Sequence, residues 1–174
     1  MRLHQLKIDF VPEHDRLLLR VSTDNKLEMR LWLTRRALRL LWPRLMQIVR
    51  SAPEVALQSN PQARDALVGM QHERALRQAD FAKPFEETPR ELPLGPEPIL
   101  VTHIQTKRDE SGNLVLGLLP QQGQGVNLTL NYNLLHSLCK LLQDAVAKSD
   151  WDIALEFPAQ PLMTGDNTKP RIVN

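Results

Sequence analysis

Apolar and polar residues alternate along the first 33 residues in three runs that are separated by short polar turns. In the first run Leu6, Ile8 and Phe10 share one side, while Lys7 and Asp9 share the other. A strand with one buried face requires this period of two. The pattern predicts an antiparallel meander of three strands. The inward positions of its second and third strands are Leu17, Leu19, Val21, Leu27, Met29, Leu31 and Leu33.

The apolar spacing becomes helical after Thr34, whose hydroxyl can cap the first turn of a helix. Leu38, Leu41 and Leu45 then form one stripe. Pro43 lies inside this pattern, where it removes a backbone hydrogen bond and crowds the preceding turn. We therefore expect a kink or a break near Trp42.

The same order of elements returns after residue 97, with strands in "PILVTHIQT", "LVLGLL" and "VNLTL" and a helix capped by Asn131. A shift of 97 residues aligns residues 19–49 with 116–146 without a gap, although every identity is Leu or Val. The sequence predicts an α+β fold, in which one antiparallel sheet is built from two β-β-β-α units, residues 1–50 and 98–157, related as a pseudo-repeat. Because one such unit buries little surface alone, we expect the two to close into one compact domain. The second meander is apolar on both faces, so we expect it to lie centrally in the sheet or against another chain.

Residues 51–97 form an insertion between the two units. Asn60 followed by Pro61 predicts the start of a polar surface helix that runs to about Ala79. Residues 81–98 are rich in proline and glutamate, which predicts extended chain. This segment is either an exposed linker or an acidic strap, with the partner-binding candidates Phe81 and Phe85 anchoring it to its own domain or to another protein. After Asp150 the run "DIALEF" predicts a last strand, and residues 158–174 are expected to be disordered.

Charge is distributed unevenly although the net charge is only +2. Residues 1–50 hold 11 Lys/Arg against 5 Asp/Glu, a difference of +6. The single cysteine, Cys139, excludes an intramolecular disulfide. The sequence shows neither a signal-peptide pattern nor an apolar run long enough to cross a membrane, so we expect a cytoplasmic protein without membrane contact.

The basic residues suggest a candidate nucleic-acid surface. Arg35, Arg36 and Arg39 lie opposite the leucine stripe of the first helix, and the polar strand surface of the same unit carries Arg20, Arg30 and Trp32. Arginine can bind phosphate through two hydrogen bonds and tryptophan can stack on a base. The alternative is an ordinary solvated helix face, with Trp32 covered by the helix of residues 60–80.

Motifs of catalysis or cofactor binding are absent from the sequence. The five histidines lack the spacing of a metal site. The segment Gly123–Gly125 precedes a predicted strand and is interpreted as a hairpin turn rather than a phosphate loop. No motif is specific enough to assign a family. We therefore expect a non-catalytic interaction or scaffold protein without a cofactor, which binds itself as a homodimer or binds another protein. Nucleic-acid binding is the first alternative, and an enzyme whose site is not visible in sequence is the second.

Overall fold

The computed structural model describes residues 2–87 and 90–158. It shows the α+β class that the sequence predicts, with seven strands and four α-helices in the described residues. The elements are β1 (Leu3–Val11), β2 (Arg16–Thr23), β3 (Glu28–Leu33), α1 (Arg35–Arg50), α2 (Pro53–Ala56), α3 (Pro61–Gln78), β4 (Ile99–Leu100), β5 (His103–Arg108), β6 (Leu114–Leu119), β7 (Val126–Leu130) and α4 (Tyr132–Ala147).

The first unit follows the predicted meander. β1 pairs with β2 and β2 pairs with β3, both antiparallel, so that Leu17, Leu19 and Val21 point into the core. Thr34 caps α1 by accepting a hydrogen bond from the backbone N–H of Ala37 at 3.1 Å. Of the two alternatives near Trp42, the break is wrong, because α1 continues through Pro43 to Arg50, and the kink stays a prediction. Buried side chains on both sides of the proline hold the helix in place: Leu38, Leu41, Trp42, Leu45, Met46 and Val49.

The prediction of one antiparallel sheet is also wrong. The strands form a four-stranded mixed sheet, in the order β1-β2-β3-β4, and a three-stranded antiparallel sheet, in the order β5-β6-β7. β4 is parallel to β3. Two consecutive residues mark the change of sheet: the Val101 N–H donates to the Trp32 carbonyl at 3.0 Å, and the Thr102 N–H donates to the Leu119 carbonyl at 2.9 Å. The chain therefore leaves one sheet and joins the other within one peptide unit.

The second unit has the predicted helix α4, capped by Asn131, and the predicted strands in "LVLGLL" and "VNLTL". The single strand predicted in "PILVTHIQT" is wrong, because this segment divides into β4, which joins the first sheet, and β5, which joins the second. The second unit therefore has one strand more than the first, and the relation of the two units as a repeat stays a prediction. β6 is the central strand of its own sheet and not of one sheet shared by both units.

One hydrophobic core contains the buried leucines of both units, including Leu38 and Leu135. The packing is crossed: α4 contacts β1 of the first unit, and α1 contacts β5 of the second. The helix of each unit therefore packs against a strand of the other unit, and the two units share one core.

The insertion contains the predicted helix α3, whose N-cap Asn60 accepts from the backbone N–H groups of Gln62 and Ala63. The predicted strand in "DIALEF" is wrong, because residues 151–158 have no regular secondary structure and join no sheet. Instead, buried Trp151 and Leu155 anchor this segment, and the Gln143 side chain donates to the Leu155 carbonyl at 2.7 Å. The disorder expected for residues 158–174 falls, apart from Pro158, outside the described residues.

Candidate functional site

The outer face of the first sheet carries a buried glutamate between two arginines. Arg20 and Arg30 are directly opposite one another on β2 and β3. Glu28, with a side chain only 3% exposed, accepts from Arg20 Nε at 2.9 Å and from Arg30 Nε at 2.7 Å. Burial would raise the pKa of the Glu28 carboxyl, but the hydrogen bonds from both arginines outweigh it and hold this pKa below its ordinary value. Glu28 thus neutralises two like charges that would otherwise repel across the strands.

The acidic strap, residues 81–87 and 90–98 of the described chain, packs against this face. Glu87 accepts two hydrogen bonds from Arg20, both at 2.8 Å, and the Phe85 ring lies 4.4 Å from the Arg20 guanidinium carbon. Both glutamates raise the pKa of Arg20, Glu87 having the larger effect. The Gln5 side chain fixes the strap further, since it donates to the Pro84 carbonyl at 3.1 Å and accepts from the Glu86 N–H at 3.0 Å. Of the two interpretations of this segment, the structure shows a strap held against its own domain.

The six residues predicted for nucleic-acid binding do not form one surface. Arg20 and Arg30 project from the outer face of the sheet and are held by carboxylates. Arg36 and Arg39 are exposed on the side of α1 away from the core, on the opposite side of the sheet, and Arg35 is half-buried in the first turn. Trp32 is half-buried on the outer face, where its ring lies 5.0 Å from that of His14.

The two predicted anchors, Phe81 and Phe85, line the same groove. This groove, which we call the β1 groove, has a volume of about 470 Å³ and runs between the outer edge of β1, the strap and α4. Phe81 is 44% exposed there, while Leu134 and Leu141 of α4 are half-buried. A second hollow of about 710 Å³ continues it towards the end of β7. Both are lined by Leu3, Ala79, Leu134 and Ser137.

β1 is the edge of its sheet and has nine residues. Within residues 2–87 and 90–158, no residue outside β2 forms a hydrogen bond with the backbone of this strand. Lys7 and Asp9 place charges on its outer face, 3.2 Å apart, which is a common protection of edge strands. The charges lie on the sheet face and leave the edge itself open along the groove.

A further cavity, of about 580 Å³, lies between the end of α1, α3 and the turn that joins β5 to β6. Arg108 belongs to its wall but has a structural role, since it donates to the Ile48 carbonyl, the Ser51 hydroxyl and the Gly112 carbonyl. In the part of the chain that the structure describes, no three His, Cys, Asp or Glu side chains are placed to share a metal ion.

A contact between two buried histidines is the main feature that the sequence analysis missed. His72 Nδ1 on α3 lies 2.9 Å from His136 Nδ1 on α4. The two residues are 64 positions apart, so no local spacing could reveal their contact. Burial lowers both pKa values, that of His136 to about 4. Cys139 lies on the same helix, fully buried as expected for a packing residue, and burial raises the pKa of its thiol.

No protein-family model, curated protein or solved structure matches this chain. In the described ranges, no helix combines the length and the apolar character needed to cross a membrane.

Proposed function

We propose that this chain is a non-catalytic protein-interaction module that binds an extended segment of a partner protein in the β1 groove. The observation that carries this proposal is the nine-residue edge of β1, which has no strand neighbour on that side among the described residues and borders a partly apolar groove. An extended segment satisfies such an edge with main-chain hydrogen bonds, while pockets for alternate side chains supply specificity.

The walls of the groove favour a single segment over a broad surface. The strap lies on one side of β1, with the partly exposed Phe81 side chain lining the groove, and α4 lies on the other side. A second copy of this chain would have to bring a sheet edge between these walls. Homodimerisation through β1 is therefore the less favoured form of the proposal, and light scattering on a size-exclusion column distinguishes it from a monomer that binds peptides.

The test is selection of peptides from a phage-displayed library on the full chain, followed by affinity measurements on variants. Phe81→Ser should weaken the selected peptides by about tenfold or more, since it removes an exposed anchor from the groove. Leu57→Ser is the matched control, because Leu57 is 85% exposed and lies outside the groove. Equal binding to both variants, or no enrichment of any peptide, would contradict the proposal.

Nucleic-acid binding is a second candidate, which one observation favours. The exposed residues Arg36 and Arg39 form no ion pair with a carboxylate among the described residues. They also lie near the start of α1, where the helix dipole adds positive potential. Fluorescence anisotropy with short DNA and RNA at two salt concentrations tests this candidate, because phosphate contacts weaken steeply with salt. The double variant Arg36→Glu/Arg39→Glu should abolish any binding seen at low salt, and no binding at low salt would exclude the candidate.

A further inference from the structure

Helix α3 is attached to the rest of the fold mainly by small and polar side chains, and Leu67 is its one leucine packed partly buried against the core. Its buried residues are Val68, Gly69, His72 and Ala75, whereas the buried stripes of α1 and α4 contain several leucines. Hydrogen bonds supply other attachments to α4, such as that from the Tyr132 hydroxyl to the Gln71 side chain at 2.6 Å. The position of α3 therefore depends strongly on its polar contacts.

The contact between His72 and His136 is the most buried of these. The two Nδ1 atoms are 2.9 Å apart, and the His136 side chain is completely buried. A hydrogen bond between two imidazole nitrogens needs a hydrogen on one of them and a free lone pair on the other. This arrangement can form with both rings neutral, and it is impossible once both Nδ1 atoms carry hydrogen.

Aromatic rings surround the pair. Phe157 stacks on His72 with ring centroids 3.8 Å apart, and Tyr132 meets His136 edge to face at 4.4 Å. Phe157 also contacts Trp42 of α1, so it joins α1 to α3 and α4. Such surroundings solvate an imidazolium poorly, which disfavours its formation in the packed state.

The charged neighbours give little compensation. Burial is the largest cause of the lowered pKa of His72; Lys140 on α4 lowers it further and Glu73 on α3 opposes this. The pKa of His136 falls to about 4 because of burial and then because of His72. Tyr132, whose pKa is raised to about 12, is neutral in acid. The contacting groups of α1 and the C-terminal segment, Trp42 and Phe157, do not titrate.

We propose that protonation of the His72–His136 pair releases α3, together with Phe157, from α4. The first proton places a positive charge among aromatic rings. The second proton removes the lone pair that accepts the hydrogen bond, and it leaves two positively charged rings whose Nδ1 atoms are 2.9 Å apart. In the released state both imidazoles are hydrated and titrate near the ordinary pKa of about 6.5. At pH values between about 6.5 and the lower pKa values of the packed histidines, the released state binds more protons than the packed state. Release of α3 therefore becomes more favourable as the pH falls. This inference does not rest on binding in the β1 groove.

Hydrogen exchange followed by mass spectrometry on the full chain tests the release at about pH 7.5 and about pH 5. After correction for intrinsic exchange rates, the lowered pKa of His136 alone predicts that α3 loses protection by a factor of about 30. Peptides from β2 serve as the internal control, because this strand lies in the core and should keep its protection. Unchanged protection of α3, or an equal loss in β2, would overturn the proposal.

A variant pair separates the histidine contact from general effects of acid. His136→Gln keeps a polar side chain that does not titrate, so α3 should respond much less to pH. His103→Gln is the matched control, because His103 is exposed on β5, and it should respond like the wild type. Should His136→Gln fail to fold, NMR titration of the wild-type imidazoles decides: His72 and His136 should titrate below the ordinary histidine range together with the release of α3. Titration of either ring in the ordinary range, while α3 stays protected, would refute the proposal.

Discussion

Replacement of Glu28 by glutamine should reveal how strongly the buried carboxylate stabilises the first sheet. Glu28 accepts three hydrogen bonds: two from Arg20, at 2.9 and 3.1 Å, and one from Arg30 at 2.7 Å. Glutamine has nearly the same shape, but it lacks the charge, and its amide group presents hydrogens to the arginine donors. Removing one partner of a buried ion pair commonly costs about 3–5 kcal/mol. Because Arg20 keeps Glu87 and Arg30 is partly solvated, we expect a loss of about 3 kcal/mol.

The assay is urea unfolding followed by tryptophan fluorescence, with Glu87→Gln as the matched control. Glu87 binds the same arginine through two hydrogen bonds of 2.8 Å, but its side chain is 59% exposed. Solvent screening should make the control much less destabilising than Glu28→Gln. The sign of the pH dependence follows from the lowered pKa of Glu28. The stabilisation by Glu28 is present above the pKa of about 4.3 in the unfolded chain and is lost as the pH falls through the lower pKa in the folded protein. The difference in free energy of unfolding between the wild type and Glu28→Gln should therefore shrink in acid. A loss below about 1 kcal/mol, or equal losses in the two variants, would refute the reasoning.

Three further predictions concern the core, one turn and one helix cap. Leu38→Ala and Leu135→Ala should each lower the free energy of unfolding by about 3 kcal/mol in a single transition, because both side chains are buried in the same core; two separate transitions in urea would contradict this. Gly125→Ala should destabilise by about 1–3 kcal/mol in thermal unfolding, since its new Cβ would lie 2.5 Å from the Leu118 carbonyl oxygen, and an unchanged midpoint would be inconsistent with that approach. Thr34→Ala should cost about 1 kcal/mol in urea unfolding through loss of the α1 cap, and Thr34→Ser should recover most of it.

The strands and the two long core helices could be predicted because their signal is local. A period of two in residues 3–33 and a helical stripe from Leu38 to Leu45 each arise from neighbours that contact one face of the core. The division into two sheets could not be predicted in this way. It depends on β4 pairing with β3, more than 60 residues earlier in the chain, and on the change of sheet between Val101 and Thr102.

The candidate surfaces were less accessible to sequence reasoning. The alternation of apolar and polar residues shows that Arg20 and Arg30 point away from the core. It does not show that both form ion pairs with Glu28, or that Arg20 also pairs with Glu87 of the strap. The helical pattern likewise places Arg36 and Arg39 on the exposed side of α1, yet the sheet separates them from Arg20. Composition predicted an acidic segment with aromatic anchors, and the structure brings Phe81 and Phe85 to one groove. That β1 forms one wall of this groove follows only from the three-dimensional packing.

The two kinds of contact in this fold differ in how they respond to the solvent. The two units join through leucines, whose burial depends little on pH or salt. The insertion buries Val55 and Val68 in the same core and adds polar contacts: the strap binds through Glu87 and Arg20, and α3 through His72 and His136. Salt screens the exposed ion pair. Acid opposes the histidine contact, because the released imidazoles bind protons near pH 6.5, above the range in which most carboxylates are neutralised. The insertion should therefore loosen while the leucine core stays closed, and because the strap is a wall of the β1 groove, its loosening should change that surface before the fold is lost.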